Sequence, residues 1–107
     1  MSKIIVFGTG KYGKEAYDFF GDDNVLCFAD NNAALTGKYL YEKEIILPSD
    51  IQSHYKEYLI ILAAREELCI EMEYQLMKMG IENSLNFIFI RDYILSGRID
   101  FFSRLQI

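Results

Sequence analysis

The stretch IIVFGTGKYGKEAYDFF, residues 4–20, constrains the fold more than any other part of the chain. The run KIIVF over residues 3–7, apolar after Lys3, stops at Gly8, and three glycines, Gly8, Gly10 and Gly13, fall within six residues. A short run that is apolar on both faces reads as a strand buried inside a parallel sheet. Beyond the glycines, Tyr12, Ala16, Phe19 and Phe20 recur at helical spacing, and Gly21 with Asp22 and Asp23 closes that helix. The spacing G-x-G-x-x-G between a strand and a helix has a mechanism. Its first glycine permits a tight turn, its second lets a phosphate approach the backbone, and its third lets the helix pack close to the strand. The helix start then offers unpaired N–H groups and a partial positive charge to an anion. Thr9 and Tyr12 complete the turn, and Lys11 and Lys14 add cationic charge. The plainer alternative is a turn that only joins strand to helix. The setting favours phosphate.

A second buried strand, residues 25–29 in VLCFADNN, ends at Asp30. Asp30 lies 22 positions after Gly8, close to the offset of roughly 20 expected for an acid that binds a ribose. A carboxylate there accepts hydrogen bonds from ribose hydroxyls and repels a 2′-phosphate. The same DNN is also good turn and capping chemistry, and Asn31 and Asn32 suit either role. A third strand, residues 58–63 in YLIILAAREE, ends in Ala63 and Ala64, small enough for a base or ribose to lie against. Glu66 and Glu67 at the next helix start suit its dipole but disfavour a second phosphate. Arg65 is open between ligand contact and a solvated helix start.

Between these landmarks, residues 31–50 are the least regular, with a turn at Gly37, an extended piece over 39–47, and Pro48 opening a short helix toward Tyr55. A helix over residues 65–79 carries Leu68, Met72, Leu76 and Met79 as a core face, and Gly80 caps it. SLNFIFI reads as one more strand, and 91–107 as an apolar-rich tail. Alternating strands and helices predict a small three-layer, doubly wound α/β parallel sheet of the Rossmann-like kind, its site at the carboxyl ends of the strands. The 107 residues predict one nucleotide-binding domain, with a core over 3–90.

Composition narrows the function further. A net charge of −5 argues against a nucleic-acid groove, which needs a basic stripe. No apolar run reaches the roughly 18 residues of a membrane span, and none resembles a signal-peptide core. Cys27 and Cys69 lack metal-ligand spacing and read as buried thiols of a cytoplasmic protein. No catalytic constellation is apparent. His54 stands without an acid or nucleophile at a recognisable spacing, and the Tyr74–Lys78 pair falls on the outer face of its helix with Ile70 and Met77. That face, with Phe101, Phe102 and Leu105 of the tail, predicts a homo-oligomer or docking of the tail over the sheet.

Together KIIVFGTGKYGKEAYDFF, VLCFADNN, GKYLYEKEIILPSDI and YLIILAAREE resemble the Rossmann-like nucleotide-binding domain of bacterial surface-polysaccharide enzymes. That domain occurs in nucleotide-sugar dehydratases and epimerases and in hexapeptide-repeat sugar acyltransferases, and the likeness covers about residues 3–90. It implies a nucleotide role for Asp30 and Asn31 and a nucleotide-diphosphate sugar as ligand. Tyr12 stands where the acyltransferase branch has a histidine, and the catalytic halves of both branches are absent. The resemblance therefore implies a binding module that is not catalytic alone, either part of such an enzyme or its subunit. An NAD(H)-binding domain of an oxidoreductase or redox sensor is the alternative, and a degenerate association domain a further one. The binding residues expected are Gly8, Thr9, Gly10, Lys11, Tyr12, Gly13, Asp30, Asn31, Ala63 and Arg65. The partners expected are a small-molecule nucleotide and a second copy or a separate catalytic domain, with nucleic acid and membrane insertion excluded. With a complete first half and an acidic second one, the site is expected to hold a nucleoside diphosphate at least as well as NAD(H).

Overall fold

The computed structural model describes residues 4–55 and 57–97. The run after Lys3 forms β1 (Ile4–Phe7), every residue of it buried. Because successive strand side chains point to opposite faces, Ile4 and Val6 enter one apolar cluster and Ile5 and Phe7 another. The first cluster is closed by α1 (Lys11–Phe20) through Ala16 and Phe20 and by α4 (Phe87–Leu95) through Phe87 and Ile90. The second is closed by α3 (Glu66–Lys78) through Cys69, Met72 and Leu76, and by Ile51. Helices thus cover both faces of one sheet, the three-layer, doubly wound α/β arrangement predicted from the alternation of elements.

The sheet has the order β3-β4-β2-β1-β5-β6, with β2 at Val25–Ala29, β3 at Tyr39–Leu40, β4 at Lys43–Ile46, β5 at Leu59–Leu62 and β6 at Ser84–Asn86. Every pairing is parallel except β3 with β4. The piece expected to be extended over 39–47 is this two-residue hairpin, turned by Tyr41 and Glu42, both at positive φ (52° and 65°). Tyr41 stacks on Tyr17 of α1 at 4.6 Å, which ties the edge hairpin to the helical layer. Pro48 does open a short helix, α2 (Pro48–Asp50), which widens into a π-helical turn over Ile51–Tyr55.

Two expectations about the chain's second half are corrected. SLNFIFI is not one strand: only Ser84–Asn86 pairs with β5, and the backbone turns helical at Phe87. The cause is local. The Asn86 side chain accepts a hydrogen bond from the Phe89 N–H at 3.0 Å and caps the helix. Phe87 and Ile90, three apart, then bury on one face while Phe89 is exposed. The core face of α3 is also shifted, because Cys69 rather than Leu68 is buried with Met72 and Leu76. Ile70, Tyr74 and Met77 lie outward, 57–64% exposed, and the Lys78 ammonium sits 4.5 Å above the Tyr74 ring. Phe101, Phe102 and Leu105 lie outside the described residues. Among the described residues, no helix is long and apolar enough to cross a membrane.

Candidate functional site

The chain steps outward from β1 to β2 and β4, then crosses back to β5 and β6, so the order reverses between β1 and β5. In such sheets this reversal opens a crevice at the carboxyl ends of the strands. Hydrogen bonds hold that edge together: Gly8 N–H to the Ala29 carbonyl at 2.8 Å, Ala63 N–H to Phe7 at 2.9 Å, and Asp30 N–H to Ile46 at 3.0 Å.

The three glycines meet different demands. Gly8 has φ +128°, and a Cβ there would lie 2.3 Å from the Ala63 carbonyl oxygen. Gly13 is buried under it, and its Cβ would lie 2.1 Å from the Gly8 carbonyl oxygen. A Cβ on Gly10 would meet no protein atom within 4 Å. Gly8 and Gly13 are therefore required by packing, whereas Gly10 faces open space. Gly10 is the N-cap of α1, with no side-chain cap and no acidic residue in the first turn. At α4, by contrast, the Asn86 amide serves the N-terminal N–H groups, and at α3 Glu66 and Glu67 stand in the first turn.

A cleft of about 430 Å³ lies over this edge, within the usual size of small-ligand sites. Gly8, Thr9, Gly10, Lys11, Tyr12, Asp30, Asn31, Ala63 and Arg65 line it, and Gly13 lies beneath. Thr9 Oγ1 donates to Asp30 Oδ2 at 2.6 Å, and the Asn32 N–H donates to Asp30 Oδ1 at 2.8 Å. Asn31 makes a two-way amide pair with Gln75 of α3, at 3.0 and 2.8 Å. Arg65 is exposed, its Nε 3.7 Å from Glu67 Oε2, a pairing of little strength in water. His54 lies on another surface, against Tyr55.

Leu68 and Met72 give the cleft an apolar wall, although their helical spacing predicts a core face, and of the two only Met72 is buried in the core. The row of residues four apart begins at the helix start, so its first member faces the strand ends and only later members reach the core. A second, larger cleft of about 910 Å³ shares Lys11, Tyr12 and Arg65 with the first and runs on to Asn86, Phe89, Arg91 and Asp92. No signal in the sequence could reveal it, because its far wall is the α4 segment that reads as a strand. Arg91 bridges the helical layer there, 3.6 Å from Glu15 of α1 and 5.6 Å above the Phe87 ring.

Cys27 and Cys69 are free and buried in the same cluster. Burial pushes the Cys27 thiol up to about 12 and raises that of Cys69, whose Sγ donates to the Ala64 carbonyl at 3.2 Å. Among the described residues, no group of acids, histidines and cysteines is arranged to hold a metal ion.

Fold and strand-end geometry define a doubly wound, Rossmann-like α/β protein. The chain belongs to the family described as C2185-like, N-terminal, whose pattern matches residues 1–85. No curated protein matches it. Among solved structures it is similar to RSP, a Rex-family repressor, at 16% identity and TM-score 0.59, over 99% of this chain and 64% of that one. It is also similar to RSP in complex with beta-NAD+ and operator DNA (15% identity, TM-score 0.58, 99% of this chain and 61% of that one). A third similar structure is RSP in complex with beta-NADH (16% identity, TM-score 0.58, 98% and 64%). At such identity the likeness is one of fold, and the chain spans less than two thirds of RSP.

These findings correct two expectations. The likeness to polysaccharide-biosynthesis domains is not upheld, and the nucleotide-diphosphate sugar that it implied loses its support. A glycine turn and a strand-end acid are shared by many doubly wound folds, so they identify the fold and not the pathway. The exclusion of nucleic acid also fails, because RSP, which carries this fold, is found with operator DNA. Net charge sums over a chain. It does not by itself exclude a nucleic-acid partner.

Proposed function

We propose that this chain is an NAD(H)-binding module of a redox-responsive protein. What carries the reading is the continuity of the two clefts, which meet at Lys11, Tyr12 and Arg65 across the point of strand reversal. A nucleoside diphosphate needs only the smaller cleft. A dinucleotide needs both, and α4 supplies room for its second half beside the acidic start of α3, where Glu66 and Glu67 line the larger cleft. Leu68 and Met72 would face the adenine, Asp30 the adenosine ribose, and the backbone at Gly8–Gly10 with the uncapped start of α1 the pyrophosphate. Lys11 would balance its charge. The open space at Gly10 fits a ligand that approaches the backbone closely. NAD+ and NADH are the ligands found with RSP, and its description as a repressor supports a regulatory setting. When bound, the cofactor supplies a reversible hydride couple, and the chain's part is to hold it and to differ in affinity between its two states.

The test is a titration with NADH followed by its own fluorescence, alongside calorimetry with NAD+ and with UDP-glucose. Saturable NAD(H) binding, tighter than UDP-glucose, is the expected result. Tighter UDP-glucose binding, or no response to either form of the dinucleotide, overturns the reading.

A further inference from the structure

Thr9 stands between the first two glycines of the turn, yet its side chain turns away from helix capping. Its hydroxyl donates to Asp30 Oδ2 at 2.6 Å, joining residues 21 positions apart. An O–H to carboxylate bond of this length is among the stronger hydrogen bonds proteins make. The other oxygen, Oδ1, accepts from the Asn32 N–H at 2.8 Å, and the Asp30 N–H is tied to Ile46. The carboxylate is thus held at both oxygens, one of them by the glycine turn itself.

A hydroxyl has one proton, and that of Thr9 is committed to Asp30. What Thr9 Oγ1 and Asp30 offer to the cleft is therefore acceptor capacity alone. A ribose diol brings two donors to such an edge. A phosphate in the same place brings negative charge against a fixed carboxylate. We infer that Thr9 is a positioning residue that sets the cleft's preference for an unmodified ribose diol over a 2′-phosphorylated one. The inference rests on the dinucleotide reading above. Through Thr9, the turn that presents backbone to phosphate and the acid that reads the ribose move as one unit.

Calorimetry on Thr9→Val and Thr9→Ser, with NAD+ and NADP+ as the probes, decides it. The wild-type chain is expected to favour NAD+. Thr9→Val, which keeps the shape and removes the proton, should weaken NAD+ roughly tenfold and narrow the NAD+ to NADP+ preference by a similar factor. Thr9→Ser should stay within about twofold of wild type, since it restores the donor. In an Asp30→Ala background, Thr9→Val should have no further effect, the signature of two residues acting as one. Thermal melts of each variant report the fold. An unchanged preference in Thr9→Val, or equal loss for both dinucleotides, overturns the inference while leaving the nucleotide reading in place. A wild-type chain that binds neither dinucleotide overturns the nucleotide reading, and the inference with it.

Discussion

Gly13 packs so closely beneath Gly8 that a Cβ on it would lie 2.1 Å from the Gly8 carbonyl oxygen. No L side chain fits at that distance without moving backbone, so this contact sets how near α1 approaches the end of β1. Gly10, three residues earlier, touches nothing that a Cβ would disturb.

The two glycines should therefore fail differently. Gly13→Ala overpacks a buried joint and should cost about 1–3 kcal/mol of stability, read by urea denaturation. Gly10→Val should cost about 1 kcal/mol as a poorer cap but abolish dinucleotide binding. Equal destabilisation by both, or full binding by Gly10→Val, would show that the turn does not divide its roles in this way.

Asn86 decides where β6 ends and α4 begins. Its side chain accepts from the Phe89 N–H, and removing that acceptor in Asn86→Ala should cost about 1 kcal/mol. A shifted urea midpoint with an unchanged m-value is the expected observation. A substitution without effect would mean that burial of Phe87 and Ile90 alone specifies the helix.

Glu42 occupies a left-handed turn position, φ 65°, beside Tyr41 at 52°. Such a conformation costs an L residue about 1–2 kcal/mol, part of which glycine returns as lost chain entropy. Glu42→Gly should therefore raise stability by about 0.5–1 kcal/mol, a few degrees in Tm by calorimetric scan. Tyr41 is a worse place for the same change, because its ring stacks on Tyr17.

Stability should fall on the alkaline side. The folded chain keeps the Cys27 thiol protonated up to about 12, whereas an unfolded thiol ionises near its ordinary 9.0. Between those values the unfolded state has lost a proton that the native state holds, so each rise in pH favours unfolding. Tyr17 acts in the same direction above 10.0, since its hydroxyl donates to Asp22. Denaturation midpoints should be level from neutral pH to about pH 9 and decline above it. In the native state both cysteines should resist Ellman's reagent at pH 8, and both should react after unfolding.

Much of this protein was determined by sequence alone, because the deciding forces are local in the chain. Residues 4–7 and 25–29 are apolar on both faces, and only a sheet covered on both sides can bury them. Glycines at 8, 10 and 13 next to such a strand leave few turns available, and Asp30 follows its strand directly. These features placed α1, the parallel strands and the edge where the cleft lies. Tertiary structure decided the rest. FIFI has no period that separates a strand from a buried helix, and only the cap from Asn86 and the shared face of Phe87 and Ile90 resolve it. That helix makes the far wall of the larger cleft, so the extent of that cleft was hidden with it. The bond from Thr9 to Asp30 was equally invisible, because residues 21 apart meet only once β1 and β2 lie side by side.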